Sequence, residues 1–192
     1  MDEPIILPVR RSIRLKHFDY AQPGMWFVTV CSHGKKSIFG KIVLNQMKPN
    51  ALGRIVSECW LDIPRHFPHV QTLAHVAMPN HFHGIFVIRP VPRARHAVPL
   101  QDDDMVVEMY QRPVAGSVPT IVRSFKSAVS KRIRQILRNP EFQPWQRNYY
   151  ESRIRNEHEF RNARRYILEN PAHWRRDSNN PETTATCYDP SP

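Results

Sequence analysis

Cysteine is scarce and poorly spaced for a structural role: Cys31, Cys59 and Cys187 are odd in number, far apart and form no CxxC pair. Neither a disulfide framework nor a cysteine zinc site is expected, and a reducing compartment suits the chain. Long hydrophobic runs are missing too, since no uncharged apolar stretch approaches the roughly 18 residues of a membrane-spanning helix. The N-terminal "MDEPIILPVRRSIRLK" places acids first and a short apolar patch before its basic cluster, the wrong order for a secretory signal. Acids are also in short supply, with 17 Asp and Glu against 28 Lys and Arg, a net charge of +11. These absences leave an intracellular protein of 192 residues, about the size of one domain, whose charge favours an anionic partner.

The excess charge is not spread evenly. Between Ile121 and Arg176 fourteen Lys or Arg meet five acids, which accounts for nine of the eleven net positive charges. Aromatic residues are interleaved with them: Phe125, Phe142, Trp145, Tyr149, Tyr150, Phe160, Tyr166 and Trp174. A lone basic helix reads as a solvated face. Cations that neutralise a phosphate backbone beside rings that stack on bases point instead to nucleic acid, single strands in particular. No basic amphipathic helix of the kind that lies on a bilayer is present, so no membrane partner is expected.

Hydrophobic periodicity divides the chain into short elements. "MWFVTVCSHG" (25–34) alternates like a strand, and "NALGRIVSECWLDIPRHF" (50–67) has a helical apolar face, Asn50 as N-cap and Pro64 as terminator. "VQTLAHVAMPN" (70–80) and "HFHGIFVIRP" (81–90) read as a hairpin. Residues 89–117 are proline-rich, carry the acid run Asp102, Asp103 and Asp104, and hold no period, so they read as an irregular insertion. "PTIVRSFKSAVSKRIRQILRN" (119–139) regains helical spacing with Thr120 as N-cap, "NYYESRIR" (148–155) reads as a strand, and "NEHEFRNARRYILEN" (156–170) as a helix that Pro171 stops. The expected division is one domain over 1–176 and a loose tail over 177–192. Its element order spells a ferredoxin-like, split βαβ arrangement: an α+β fold with a four-stranded antiparallel sheet, helices on one face and an additional C-terminal helix. That fold also carries RNA-recognition modules and does not settle function.

"PNHFHGIF" (79–86) holds the sharpest chemical signal. Residues two apart on a strand point the same way, so His81 and His83 share a side while Phe82 faces the other. That geometry suits two metal ligands, and equally two polar residues on a solvated face. Two imidazoles favour Zn, Mn, Co or Ni, whereas added oxygen ligands move the preference to Mg or Mn. In "RRYILENPAHW", Tyr166 and Asn170 are four apart on the last helix and share one of its faces. The Asn170 carboxamide, freed to reach outward where Pro171 ends the helix, reads either as a third ligand for a hard ion or as a plain helix C-cap. Tyr166 next to such an ion has the makings of a covalent nucleophile. No HExxH is present and no acid and base pair accompanies the histidines, which disfavours a metallohydrolase.

"MPNHFHGI", "TIVRSFKSAVSKRI", "PWQRNYYESRIRNE" and "YILENPAHW", in this order, resemble the REP-associated tyrosine transposases, relatives of the IS200/IS605 transposases among the HUH single-tyrosine nucleases. The resemblance runs from about Arg14 to Trp174. It implies that His81 and His83 bind a catalytic divalent ion, Mg2+ or Mn2+, that Asn170 is the helical amide ligand, and that Tyr166 is the nucleophile. It implies cleavage and rejoining of single-stranded DNA at hairpin-forming repeated palindromes through a 5′-phosphotyrosine link. Related IS200/IS605 enzymes complete their sites across a dimer, whereas this chain is expected to act as a monomer with its site intact, in the cytoplasm at the nucleoid. Arg123, Lys126 and Arg132 on the long helix, and Arg147, Arg153 and Arg155 around the last strand, are the DNA-binding candidates. The competing expectation is a DNA- or RNA-binding module on the same fold without chemistry.

Overall fold

In the structure, a computed structural model that describes residues 22–90 and 116–181, the alternation of "GMWFVTVC" becomes β1 (Gly24–Cys31) at the centre of the main sheet. It pairs antiparallel with β5 (His81–Ile88) on one side and β6 (Tyr150–Ile154) on the other. Beyond β5 lies β4 (Val70–Ala77), which gives the sheet order β4-β5-β1-β6. This is the order of a split βαβ sheet, as the α+β reading requires.

Strand alternation sends two apolar sets to opposite faces. Trp26, Val28 and Val30 of β1, with Phe82 and Phe86 of β5, join one core. Helices α1 (Ala51–Leu61) and α3 (Val118–Leu137) cover it through Ile55, Val56, Trp60, Val122, Phe125 and Val129. Phe27, Ile85 and Ile154 face the other way, where Ile167 of α4 (Glu157–Glu169) closes a smaller core. Tyr149 and Tyr150 part accordingly, the first packing on the α1 and α3 side, the second on the α4 side.

Caps explain the helix ends. Asn50 accepts from the Gly53 N–H at 3.0 Å, and Asn156 accepts from the Glu159 N–H at 2.8 Å while the Glu159 carboxylate reaches back past the cap to accept from the Arg155 N–H. Three details differ from the pattern reading. The long helix starts at Ser117 rather than at Thr120, with Pro119 inside its first turn, where a missing N–H costs nothing. Pro64 ends nothing; it opens the short helix α2 (Ile63–His66) for the same reason. The small hairpin of β2 (Gly40–Val43) and β3 (Gln46–Pro49) has too few apolar residues to announce itself. Most of the insertion expected at 89–117, with its acid run, lies outside the described residues.

Gly84 shows why a glycine interrupts the apolar run of β5. A Cβ there would stand 2.5 Å from the Trp60 ring, which lies directly on the strand. Gly84→Ala is therefore expected to destabilise the protein by about 1–3 kcal/mol through overpacking, read as a lowered Tm. An unchanged Tm would mean that Trp60 moves freely.

Candidate functional site

The register of β1 and β5 sets Thr29 opposite His83 and Cys31 opposite His81, all on the α4 face of the sheet. Neither histidine is solvated: His81 is 0% and His83 1% exposed. Each ring is oriented by a partner. The His83 Nδ1 lies 2.8 Å from the Thr29 hydroxyl, and the His81 Nδ1 lies 2.8 Å from the Asn80 carboxamide oxygen. Asn80 itself cannot turn, because its amide nitrogen donates to the carbonyls of Lys35 and Asn179. With Asn80 offering only an acceptor, the His81 proton sits on Nδ1 and the Nε2 lone pair is left bare. The Nε2 atoms of both histidines are buried with no hydrogen-bond partner among the described residues.

Helix α4 delivers the other components to the same spot. The Tyr166 ring stands 5.1 Å from that of His83 and 6.1 Å from that of Phe27, both edge to face. Asn170, one turn on, is 2% exposed, so its amide reaches inward rather than outward. Its Nδ2 donates to the Asp177 carboxylate at 3.2 Å, and its Oδ1 is a further buried atom without a partner among the described residues.

Asp177 escaped the pattern reading, which started a loose tail at this residue. The carboxylate is buried, lies 3.7 Å from the His81 Nε2, and forms with His81 and His83 a cluster whose ligand atoms are all within 4.8 Å of one another. One local signal was available: in "DSNNP" the Asp177 carboxylate accepts from the Asn179 N–H, an Asx turn, and turns of this kind hold a chain in place. Asn180 is also buried, donating to the Trp174 carbonyl, so 177–181 belong to the fold, and the rest of the expected tail lies outside the described residues.

Burial dominates the electrostatics. It holds His83 well below the usual imidazole range, and takes His81 down to about 4 against the pull of Asp177. Burial, with Asp177 adding to it, pushes the Tyr166 phenol up to about 12, while the Asn170 amide works in the opposite sense. Both rings are thus neutral in the folded chain at pH 7, whereas an unfolded histidine takes up a proton near pH 6.5. Between about pH 4 and 6.5 the unfolded state binds more protons, so stability is complete above this window and declines as pH falls through it. Thermal melts of chelator-treated protein from pH 7.5 to 4.5 should show Tm falling, and a flat profile would contradict the buried neutral pair.

The six basic candidates are not brought together. Arg123 and Arg132 belong to α3, on the sheet face opposite the histidines, where Arg132 pairs with Glu58 of α1. The Lys126 ammonium donates to the carbonyls of Gln146 and Arg147, at 2.6 and 3.0 Å, and so fastens the segment ahead of β6. Arg147 ahead of β6, Arg153 within it and Arg155 just after it are exposed near that edge of the sheet, with the Arg153 guanidinium lying beside Gly24 on the Trp26 face. Lys131, Arg134 and Arg138 line an open groove of about 570 Å³ along α3, which the sequence reading passed over.

No protein-family model matches the chain. It is 41% identical over 169 residues to a protein of Haemophilus influenzae (strain ATCC 51907 / DSM 11121 / KW20 / Rd) of uncharacterized function, with 88% of this chain and 91% of that protein covered. Among solved structures it is similar to a REP-associated tyrosine transposase bound to a REP hairpin, 19% identical with a TM-score of 0.50, covering 88% of this chain and 74% of that one. No helix among the described residues is long and apolar enough to cross a membrane. The chain belongs to one family with the Haemophilus protein, and its four-stranded sheet with flanking helices is the fold of the REP-associated tyrosine transposases.

Proposed function

We propose that the protein is a divalent-metal-dependent endonuclease and strand transferase for single-stranded DNA, with Tyr166 as nucleophile. The observation that carries this reading is the bare, buried Nε2 pair of His81 and His83, aimed at the same place as the Asn170 oxygen and the Asp177 carboxylate, with the Tyr166 ring against His83. Leaving three buried acceptors unpaired is costly unless a cation satisfies them. Mixed nitrogen and oxygen donors fit a small divalent ion, Mn2+ or Mg2+, held by His81, His83, Asn170 and Asp177. When bound, such an ion supplies positive charge beside the phenol and a Lewis acid for a phosphate oxygen.

The chain's own groups define the rest of the chemistry. Asn80 keeps the His81 imidazole in the ligating tautomer, and Thr29 holds the His83 ring in orientation. Tyr166, held edge-on between Phe27 and His83, presents its oxygen to a phosphorus; the Tyr O–P bond forms, the P–O3′ bond breaks, and a free 3′-hydroxyl leaves. The phosphodiester energy stays in the 5′-phosphotyrosine link, so attack by a 3′-hydroxyl reverses the step without ATP. Every group named comes from one chain, which supports a monomer as the acting unit. The solved relative's REP hairpin supports hairpin-forming repeated palindromes as the substrate class, and the basic edge at Arg147, Arg153 and Arg155 is the surface for the strand.

The test is incubation with single-stranded hairpin DNA and Mn2+ or Mg2+, then denaturing electrophoresis. A covalent protein–DNA band that disappears with chelator is expected. Tight hairpin binding without any band, whichever divalent ion is supplied, would establish a binding module instead.

A further inference from the structure

Beside Tyr166, between β6 and α4, opens a cavity of about 210 Å³. Phe27, Ile154 and Ala163 give it apolar walls, and Tyr166 itself lines it. Its size falls below the roughly 300–1,000 Å³ of clefts that enclose drug-sized ligands, and an apolar slot of these dimensions suits one flat heterocycle. Two polar side chains reach it from α4. Asn162 brings a carboxamide, and Glu159 brings a carboxylate whose position is fixed because one oxygen accepts from the Arg155 N–H at 2.8 Å and the other from the Asn156 amide at 3.5 Å. A carboxylate anchored in this way accepts hydrogen bonds and donates none.

We propose that this cavity takes one unstacked nucleobase of the single-stranded DNA, from a nucleotide flanking the scissile phosphate, and selects a base with an exocyclic amino group. The inference rests on the nuclease reading of Tyr166, since the tyrosine is what sets the cavity next to the reacting phosphate. Cytosine and adenine place an amino donor toward Glu159 where thymine places its O4 carbonyl, which meets like charge. The apolar walls supply stacking and exclude water from the hydrogen bond.

The experiment uses hairpin DNA with a single-stranded flank in which each of the nucleotides near the cleavage position is in turn cytosine, thymine, an abasic unit or 2-aminopurine. Covalent-adduct rate is measured with the unaltered protein, and 2-aminopurine fluorescence with the Tyr166→Phe variant. At one position, thymine and the abasic unit should each slow adduct formation about tenfold or more relative to cytosine, and 2-aminopurine should brighten on binding as it leaves its stack. Glu159→Gln, which keeps the cap, should shrink the thymine penalty to about threefold or less. Ala163→Phe fills the slot and should slow the cytosine substrate while leaving the abasic one unchanged.

Equal rates for cytosine, thymine and abasic DNA at every flanking position overturn the proposal and leave the nuclease reading standing. Absence of an adduct with all DNAs overturns the nuclease reading, and the fluorescence then judges the cavity alone. A base-dependent signal that Ala163→Phe abolishes supports it, and a signal that Ala163→Phe leaves intact overturns it. If Ala163→Phe does not fold, Glu159→Gln decides: an unchanged thymine penalty refutes the assignment.

Discussion

Tyr166→Phe is expected to abolish the covalent protein–DNA adduct and to lower cleavage by on the order of 10⁴-fold or more, the scale on which loss of a nucleophile registers. The substitution removes one oxygen. The ring keeps its contacts with Phe27 and His83, and Ile167 alongside remains buried, so Tm and hairpin binding should hardly change. Tyr150 is the control that matters. It sits on the same sheet face, paired with Thr29, the residue that orients His83. Tyr150→Phe should retain the adduct, because its hydroxyl comes from a strand and not from the helix that also carries Asn170. The reverse outcome, an adduct lost with Tyr150→Phe and kept with Tyr166→Phe, would move the nucleophile to β6. A phenol pushed up to about 12 is protonated at neutral pH, so cleavage should also rise with pH across the range in which the protein stays folded.

The second large effect concerns the ion. Calorimetric titration with Mn2+ should give one site per chain, lost beyond detection in His83→Ala and in His81→Ala, because either change removes one of only two imidazole donors. The more searching variant is Thr29→Val, which touches no ligand atom. It deletes the hydroxyl 2.8 Å from the His83 Nδ1, and with it the contact that orients the ring. A loss of about 10–100-fold in Mn2+ affinity is expected, with a stability change smaller than that of Gly84→Ala. Affinity unaffected by Thr29→Val would show that packing against Phe27 alone holds the ring. Asp177→Asn separates charge from shape: weaker Mn2+ binding with an unchanged fold marks the carboxylate as a ligand, and equal binding marks it as a bystander.

Strand alternation, helix caps and the element order were legible in residues that lie near one another in the chain. Period-two spacing put His81 and His83 on one side, and period-3.6 spacing put Tyr166 and Asn170 on one helical face. Neither period says which side of the sheet a helix will cover, so the distance between the two pairs was out of reach. It was decided by α4 packing on the face that Phe27 and Ile85 present, opposite α1 and α3. The same layering takes Arg123 and Arg132 away from the site, which nothing in their charge or spacing reveals. Burial was the other hidden quantity. A histidine pair at the start of an apolar run reads alike whether wet or dry, and only the closed packing around it strips water from both Nε2 atoms. Asp177 marks the limit most clearly: a carboxylate in a polar, proline-bearing segment carries no periodicity. It becomes part of the site because Asn80 and Cys31, distant in sequence, hold the segment alongside the nearby Asn170. Local periodicity thus places His81 with His83 and Tyr166 with Asn170, while their meeting, and the presence of Asp177 among them, come from long-range packing, a property of the assembled layers and of no single stretch.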